Sequence, residues 1–192
     1  MKVIDTEIPD VKVLEPGIFS DSRGYFFESW NEEKYHSLGI NCHWVQDNES
    51  FSCYGVLRGL HYQLAPYTQA KLVRVIRGRV LDVAVDIRKN SPTFGKYAAV
   101  ELSGENHLQV YIPRGFAHGF AVLSDEAVFQ YKCDNFYMPS AERGICADDP
   151  DLAINWRLPL QDRILSAKDE KNVLLSEAEL FDFNDKVYLK NG

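Results

Sequence analysis

Four side chains that could handle an anionic substrate lie close together in the chain. The segment RGLHYQ contains Arg58 and His61, and the nearby KLVRVIRGR begins with Lys71 and contains Arg74. Histidine is the side chain best suited to moving protons near neutral pH, and arginine binds phosphate oxygens through paired N–H groups. A lysine that opens an apolar strand is costly unless it faces solvent, a partner or a reacting group. These residues predict an enzyme site inside β-structure that binds an anion.

The strands that must position this chemistry are indicated by alternating side chains. Every second residue of a strand points to the same side, so Lys71, His118 and Tyr131 each share a face with apolar neighbours. Those neighbours are Val73 and Val75 for the first, Phe116, Phe120 and Val122 for the second, and Ala127 and Phe129 for the third. The pattern predicts a barrel-like interior that is apolar at one end and polar at its mouth.

Strict alternation fails at one place. It puts Arg58 and His61 on opposite faces of their strand, although both are expected in one site. Gly59 between them could host a bulge that re-aims one of the two side chains. We therefore predict an irregularity here, and an unbroken ladder through 57–62 would contradict it.

Short strands separated by turns occupy the chain from about residue 41 to residue 133, without intervening helices. In VLDVAVDI, the residues at 81, 83, 85 and 87 are apolar, and Asp82, Ala84 and Asp86 lie on the other face. Such a series predicts a sandwich, a jelly roll or a barrel.

Two helices are expected outside this series. The first lies within 29–40, where Asn31 can cap its start and Gly39 can end it. The second begins at Ser176, where Ser176 and Glu179 have the spacing of a capping box.

Composition narrows the possible functions. The chain has 192 residues, 45% hydrophobic residues and a net charge of −7, which argues against generic binding of nucleic acid or anionic membranes. We see no run of apolar residues long enough for a membrane span and no signal peptide at the start. The four cysteines have no CxxC spacing and are expected to be free thiols in a cytoplasmic protein. One domain over 1–192 is expected, with a C-terminal helix.

Along roughly residues 1–175 the chain resembles the dTDP-4-dehydrorhamnose 3,5-epimerase family. The motifs that carry the resemblance are FSDSRGYFFESW at 19–30, WVQDNESFS at 44–52, GVLRGLHYQ at 55–63, KLVRVIRGRVLDVAVDIR at 71–88, PRGFAHGF at 113–120, QYKCDNFY at 130–137 and SAKD at 166–169. The resemblance implies an all-β fold, a cupin-type double-stranded β-helix (jelly roll) with short peripheral helices. It also implies a homodimer, a dTDP-sugar substrate and no metal or organic cofactor.

The family's reaction inverts C3 and C5 of a 4-keto-6-deoxy sugar carried on dTDP. Both carbons are α to a carbonyl, so the site needs a base, a proton donor on the opposite face and a group that stabilises the enolate oxygen. By resemblance, His61 is the base, Asp169 is its carboxylate partner and Tyr131 is the proton donor. Lys71 is the natural group for the enolate oxygen.

Further residues match the family's substrate-binding blocks. The resemblance implies that Arg58 and Arg23 bind the diphosphate, and His118 is assigned a supporting role. The remaining matches are Phe19, Glu28, Gln46, Asn48 and Tyr137. In the family the N-terminal block reaches into the neighbouring subunit's pocket, so Arg23 and Glu28 are expected to act across the dimer.

Three alternatives stay open at this point. One is an epimerase that inverts a single carbon or uses another nucleotide, because such relatives share the His, Tyr and Asp residues. Another is a cupin that binds a sugar nucleotide without chemistry. The last is a metal-dependent cupin, which the single histidine in GLHYQ disfavours because metal-binding cupins use a pair of nearby histidines.

Overall fold

A computed structural model describes residues 1–189. Two antiparallel sheets dominate it, one of six strands and one of five. The strands in chain order are β1 Lys2–Asp5, β2 Lys12–Glu15, β3 Phe19–Asp21, β4 Gly24–Phe26, β5 Gln46–Cys53, β6 Leu57–Gln63, β7 Lys71–Arg77, β8 Arg79–Asp86, β9 Arg88–Lys89, β10 Tyr97–Ser103, β11 Gln109–Ile112, β12 Phe116–Val122, β13 Glu126–Cys133, β14 Glu142–Gly144 and β15 Phe181–Asp182. The larger sheet has the order β1-β2-β11-β7-β13-β5, and the smaller has the order β10-β8-β12-β6-β14. The predicted all-β jelly roll is confirmed.

Helical structure is short and peripheral. The α-helix α1 covers Glu32–Ser37, its start is capped by the Asn31 side chain, and Gly39 follows with a φ of 81°. This confirms the helix expected within 29–40. Single turns of 3₁₀-helix lie at Pro139–Ala141, Leu160–Asp162, Asp169–Lys171, Leu175–Glu177 and Val187–Leu189.

The helix predicted from Ser176 is wrong. Only one 3₁₀ turn forms there, and Ala178 is already extended, with a ψ of 149°. Tertiary contacts explain the difference, because the Asp149 carboxylate accepts from the Leu175 N–H and the Glu179 carbonyl accepts from the Tyr62 hydroxyl. Leu175 and the following strand β15 pack against the outer side of the five-stranded sheet. Burial of this apolar surface outweighs a local capping preference.

Three apolar layers hold the sheets. One lies between the two sheets and contains Val73, Val75, Phe116, Phe120 and Phe129. A second covers the outer face of the five-stranded sheet, and half of its buried residues lie after residue 144, including the fully buried Trp156. The third lies under α1 on the six-stranded sheet.

Strand β8 is buried on both faces by these layers. Leu81, Val83 and Val85 contact the outer cluster, while Ala84 on the other face belongs to the cluster between the sheets. Asp82 lies on that inner face and is 1% exposed. The alternation in VLDVAVDI therefore separates an outer core from the interior of the jelly roll, and neither face is open to solvent.

The predicted irregularity at Gly59 is present. His61 pairs with His118 and Arg58 with Phe120, so two residues of β6 lie opposite one residue of β12. Gly59 has a φ of 104°, in the left-handed region that glycine accepts most easily. As a result Arg58 and His61 both line the interior, while Leu57 and Leu60 join the outer core.

Replacement of Gly59 by alanine should destabilise the fold. A Cβ atom there would lie 2.5 Å from the His118 carbonyl oxygen and would stand on a backbone with positive φ. We expect Gly59→Ala to lower the free energy of unfolding by about 2 kcal/mol or more, measured by urea denaturation. Gly17→Ala is the matched control, because nothing lies within 4 Å of its added Cβ. Equal stability of the two variants would contradict this account of the bulge.

Candidate active site

A cavity of about 650 Å³ lies between the two sheets. Its lining includes Asn48, Arg58, His61, Lys71, His118, Tyr131 and Asp169. A smaller cavity of about 260 Å³ shares Asn48, His61, Lys71 and Tyr131 with it and adds Gln46, Cys133, Tyr137 and Glu142. The combined space is of the size that binds a small organic ligand.

On the five-stranded wall, His61 is held by a carboxylate. His61 Nε2 lies 2.5 Å from Asp169 Oδ1, and the two side chains are 28% and 4% exposed. Asp169 opens a 3₁₀ turn, and its N–H donates to Ser166 Oγ at 3.1 Å. Burial tends to raise the pKa of Asp169, but hydrogen bonds, first of all that with His61, hold the pKa below its ordinary value. The expected contact between imidazole and carboxylate is present.

Tyr131 stands on the facing wall, on β13 of the six-stranded sheet. Burial, with a smaller contribution from Cys133, raises the pKa of its phenol to about 12, so the hydroxyl keeps its proton at neutral pH. Lys71 lies on the adjacent strand β7, and its Nζ is 5.9 Å from the centre of the Tyr131 ring. Burial lowers the pKa of Lys71, and the acidic groups of Cys133, Asp82 and Glu142 partly offset that effect.

A second histidine–carboxylate pair lies beside the first. His118 is directly opposite His61 across the β6–β12 pair. Its Nε2 lies 2.7 Å from Asp82 Oδ2, and the two side chains are buried. Burial lowers the pKa of His118, and the Asp82 carboxylate opposes this shift. His118 is bonded to Asp82 and is far less exposed than His61, which fits a supporting residue.

The residues expected to bind the nucleotide fall into two groups. Arg58 lines the larger cavity, where its Nε and Nη2 donate to Ser52 Oγ at 3.3 and 3.2 Å. Gln46, Asn48 and Tyr137 line the smaller one, with Gln46 donating to Asn48 and accepting from the Tyr137 N–H. The structure therefore places these four residues in the same site as His61 and Tyr131.

The second group is placed elsewhere. Phe19, Arg23 and Glu28 do not line the two cavities of their own chain. Phe19 and Arg23 belong to the β3–β4 hairpin, and the Arg23 guanidinium is 88% exposed and paired with Asp21 at 2.6 Å. Glu28 follows the hairpin and pairs with Lys34 at 2.7 Å.

Arg74 is also separate from the cavity. It alternates with the inward residues of β7, so its side chain lies on the outer face of the sheet, 5.7 Å from the centre of the Phe27 ring. Its Nε donates to Gln130 Oε1 at 2.9 Å. The initial grouping of Arg74 with Arg58 as phosphate ligands is wrong, because strand alternation turns the two arginines to different sides of the fold.

Several residues of the site were missed by sequence reasoning. Asp82, the partner of His118, could have been found from the sequence, because a carboxylate on the interior face of a strand needs a polar partner. Glu142 accepts from the Tyr137 hydroxyl at 2.5 Å and forms an ion pair with Lys168, next to Asp169. Glu142 begins the three-residue strand β14 and Lys168 lies in a turn, and both segments are too short for a period to assign a side chain to a direction.

Comparison with known proteins decides the family. Residues 5–177 match the family model described as dTDP-4-dehydrorhamnose 3,5-epimerase. The chain is 55% identical over 182 residues to the dTDP-4-dehydrorhamnose 3,5-epimerase of Shigella flexneri, covering 94% of this chain and 99% of that protein. The chain belongs to the dTDP-4-dehydrorhamnose 3,5-epimerase family.

Solved structures agree with this assignment. The dTDP-6-deoxy-D-glucose-3,5-epimerase of Legionella pneumophila, solved in complex with dTDP-4-keto-L-rhamnose, aligns with a TM-score of 0.91 at 50% identity, covering 95% of this chain and 98% of that one. The dTDP-4-dehydrorhamnose 3,5-epimerase of Elizabethkingia anophelis aligns with a TM-score of 0.86 at 53% identity over 98% and 99% of the chains. The fold is the cupin-type jelly roll of these epimerases, and the chain is an isomerase, a 3,5-epimerase of a dTDP-bound sugar.

Two further findings concern the part of this epimerase that the structure describes. Residues 1–189 contain no group of three or more His, Cys, Asp or Glu side chains arranged to hold a metal ion. Within the same residues, no helix is both long and apolar enough to cross a membrane.

The Asp169 carboxylate should make the stability of the epimerase depend on pH. Because the pKa of Asp169 is lowered by folding, the ionised group stabilises the fold above the pKa of the unfolded chain, about 4, and this contribution is lost as the pH falls through the folded value. We expect Asp169→Asn to cost about 1.5 kcal/mol or more at pH 7 and less near pH 3. Urea unfolding of both proteins at the two pH values measures this difference. A difference that grew in acid would contradict the assigned hydrogen bond.

Proposed function

We propose that this epimerase converts dTDP-4-dehydro-6-deoxy-D-glucose into dTDP-4-dehydro-L-rhamnose by removing and returning one proton at C3 and one at C5. The observation that carries the mechanism is that His61 and Tyr131 line one cavity from facing sheets. Inversion requires a proton to leave one face of the sugar ring and another to arrive at the opposite face. A base and an acid on opposite walls meet that requirement.

His61 acts as the base in this proposal. Its Nε2 is engaged by Asp169, so Nδ1 is the nitrogen left to accept the proton from carbon. The buried carboxylate fixes the ring and stabilises the imidazolium that forms. The partial exposure of His61 leaves room for the substrate to approach.

Tyr131 supplies the proton on the other face. Its raised pKa keeps the phenol protonated until the enolate forms, and the enolate carbon then takes the proton. Lys71 on the same wall places an ammonium group near the developing negative charge on the C4 oxygen. Desolvation strengthens that interaction, since few water molecules compete for the charge. His118 and Asp82 support the wall that carries His61.

The nucleotide is bound by two subunits in this proposal. Arg58, Gln46, Asn48 and Tyr137 belong to the pocket's own chain, where the arginine binds the diphosphate. Arg23 reaches the pocket from the partner of a homodimer, together with Phe19 and Glu28. Support comes from the hairpin itself, because Phe19 and Phe26 pair across it and are 71% and 69% exposed. Aromatic side chains so exposed are typical of a contact surface.

We also propose that the protein works in the cytoplasm as one domain that forms this homodimer. Its four cysteines are free thiols, as expected for a reducing compartment.

Substitutions at His61 and Tyr131 should separate the two halves of the reaction. His61→Ala should lower two rates by about a hundredfold or more, because no base removes the proton. These are the rate of exchange of substrate protons with solvent deuterium and the rate of turnover. Tyr131→Phe should lose inversion by a similar factor but keep exchange, since His61 can return deuterium to the face from which it took the proton. Incubation with dTDP-4-dehydro-6-deoxy-D-glucose in heavy water, followed by NMR at C3 and C5, measures both processes.

Tyr62→Phe provides the matched control. Tyr62 is the neighbour of His61 on β6, but its hydroxyl donates to the Glu179 carbonyl in the outer core. That variant should keep near-normal exchange and inversion. If His61→Ala retained more than about a tenth of the rate, the base assignment would be wrong. Deuterium at only one carbon in the unaltered enzyme would indicate a single-carbon epimerase.

Mixed dimers should test whether Arg23 acts across the interface. A dimer of one His61→Ala protomer and one Arg23→Met protomer contains one pocket with both an intact His61 and an intact Arg23, if the hairpin serves the partner. Each homodimer of a variant should be nearly inactive, and the mixed dimer should regain about half of the normal activity, because one of two symmetric sites is whole. The mixed dimer is isolated by giving each of the two protomers a different tag and purifying on both tags in turn. No recovery in the mixed dimer would show that the hairpin acts within its own chain or not at all.

A further inference from the structure

An aromatic and cationic cluster on the outer face of the six-stranded sheet has no part in the mechanism above. Tyr25 and Phe27 lie over His107, with ring centres 4.6 and 5.2 Å away. Arg74 lies 5.7 Å from the centre of the Phe27 ring. We call these four residues the hairpin clasp, because Tyr25 belongs to the β3–β4 hairpin and Phe27 follows it directly.

The hairpin needs such contacts to hold one position. Its strands have three residues each, and a two-stranded ribbon of this size is at best marginally stable alone. Alternation gives it two faces, with Tyr25 and Phe27 directed at the sheet and Phe19 and Phe26 directed away from it. The direction of Arg23 at the hairpin turn therefore depends on how firmly the inward face is held.

Arg74 is preorganised to hold Phe27. Its Nε donates to Gln130 on the neighbouring strand β13, which fixes the guanidinium over the ring. Within residues 1–189 it forms no ion pair with a carboxylate. A guanidinium within about 6 Å of a ring centre attracts the negative face of the aromatic system.

His107 is held rigidly on the other side of the clasp. It has a φ of 52°, and the turn before it is fixed by Asn106 Oδ1, which accepts from the N–H groups of Ser103 and Leu108. The chain leaving the hairpin is fixed as well, because the Ser29 carbonyl accepts from Gln109 Nε2 at 2.9 Å. The hairpin is thus anchored to β7, β11 and the turn before β11.

We infer that Arg74 and His107 are positioning residues that hold the β3–β4 hairpin in the orientation in which Arg23 serves the nucleotide. The holding of the hairpin stands on the contacts above, and its effect on substrate affinity rests on the proposed role of Arg23. Neither residue touches the cavity, so their loss should act on substrate binding and leave the proton-transfer steps unchanged.

The test uses Arg74→Met and His107→Asn in the full-length dimer. Asparagine tolerates the left-handed backbone at 107, so that variant removes the ring without straining the turn. Arg77→Met is the matched control, since Arg77 lies on the same strand but pairs with Glu126. Trypsin cleavage after Arg23, followed by mass spectrometry, reports how firmly the hairpin is held. Steady-state kinetics report KM and kcat.

Each clasp variant should speed cleavage after Arg23 and raise KM by about threefold or more, with kcat within about twofold of normal. Arg77→Met should change neither, and Arg74→Lys, which keeps the cation, should recover part of the loss. Unchanged cleavage in both clasp variants would overturn the inference and leave the proposed function intact. Faster cleavage with normal KM would support the clasp and count against Arg23, whose role the mixed dimers test independently.

Discussion

The hydrogen bond between His61 and Asp169 joins two parts of the chain that are 108 residues apart. A histidine at the mouth of an apolar interior has no fixed tautomer until an anion engages one of its nitrogens. The carboxylate supplies that anion, and it is itself costly to bury without a donor. The carboxylate therefore fixes the histidine tautomer, and the histidine supplies the donor that the buried carboxylate needs. The segment that carries Asp169 must pack against β6 for this pair to form.

The jelly roll places the remaining chemistry by simple geometry. Side chains alternate along a strand, so every second residue of each wall faces the interior. One of these inward residues can be polar while its neighbours on the same face are apolar. Tyr131 and Lys71 come from adjacent strands of one sheet, and His61 and His118 come from adjacent strands of the other. The gap between sheets becomes a reaction space whose two sides differ in chemistry. Burial raises the pKa of Tyr131 on one side and lowers the pKa of His118 on the other.

The parts of this arrangement that follow a period were predictable from the sequence. The inward faces of β7, β12 and β13 follow from alternation, and the bulge at Gly59 follows from its failure between Arg58 and His61. Motif resemblance supplied the pairing of His61 with Asp169, which spacing alone could not. The tail near Ser176 was mispredicted because its conformation depends on hydrogen bonds with distant residues, since Asp149 accepts from the Leu175 N–H and Tyr62 donates to the Glu179 carbonyl. Lys168 and Glu142 were missed because their contact joins a turn to the three-residue strand β14, and neither segment is long enough to show a period.

The distance along the chain between His61 and Asp169 has a consequence for the synthesis of the protein. At ribosomal rates of roughly 5 to 20 residues per second, Asp169 is added about 5 to 20 s after His61. By the end of that interval every strand from β1 to β14 has been translated, including both walls of the cavity. A nascent chain of that length holds its imidazole without the anion that orients it. The order of translation thus keeps the reactive centre incomplete until the polypeptide is nearly able to enclose it.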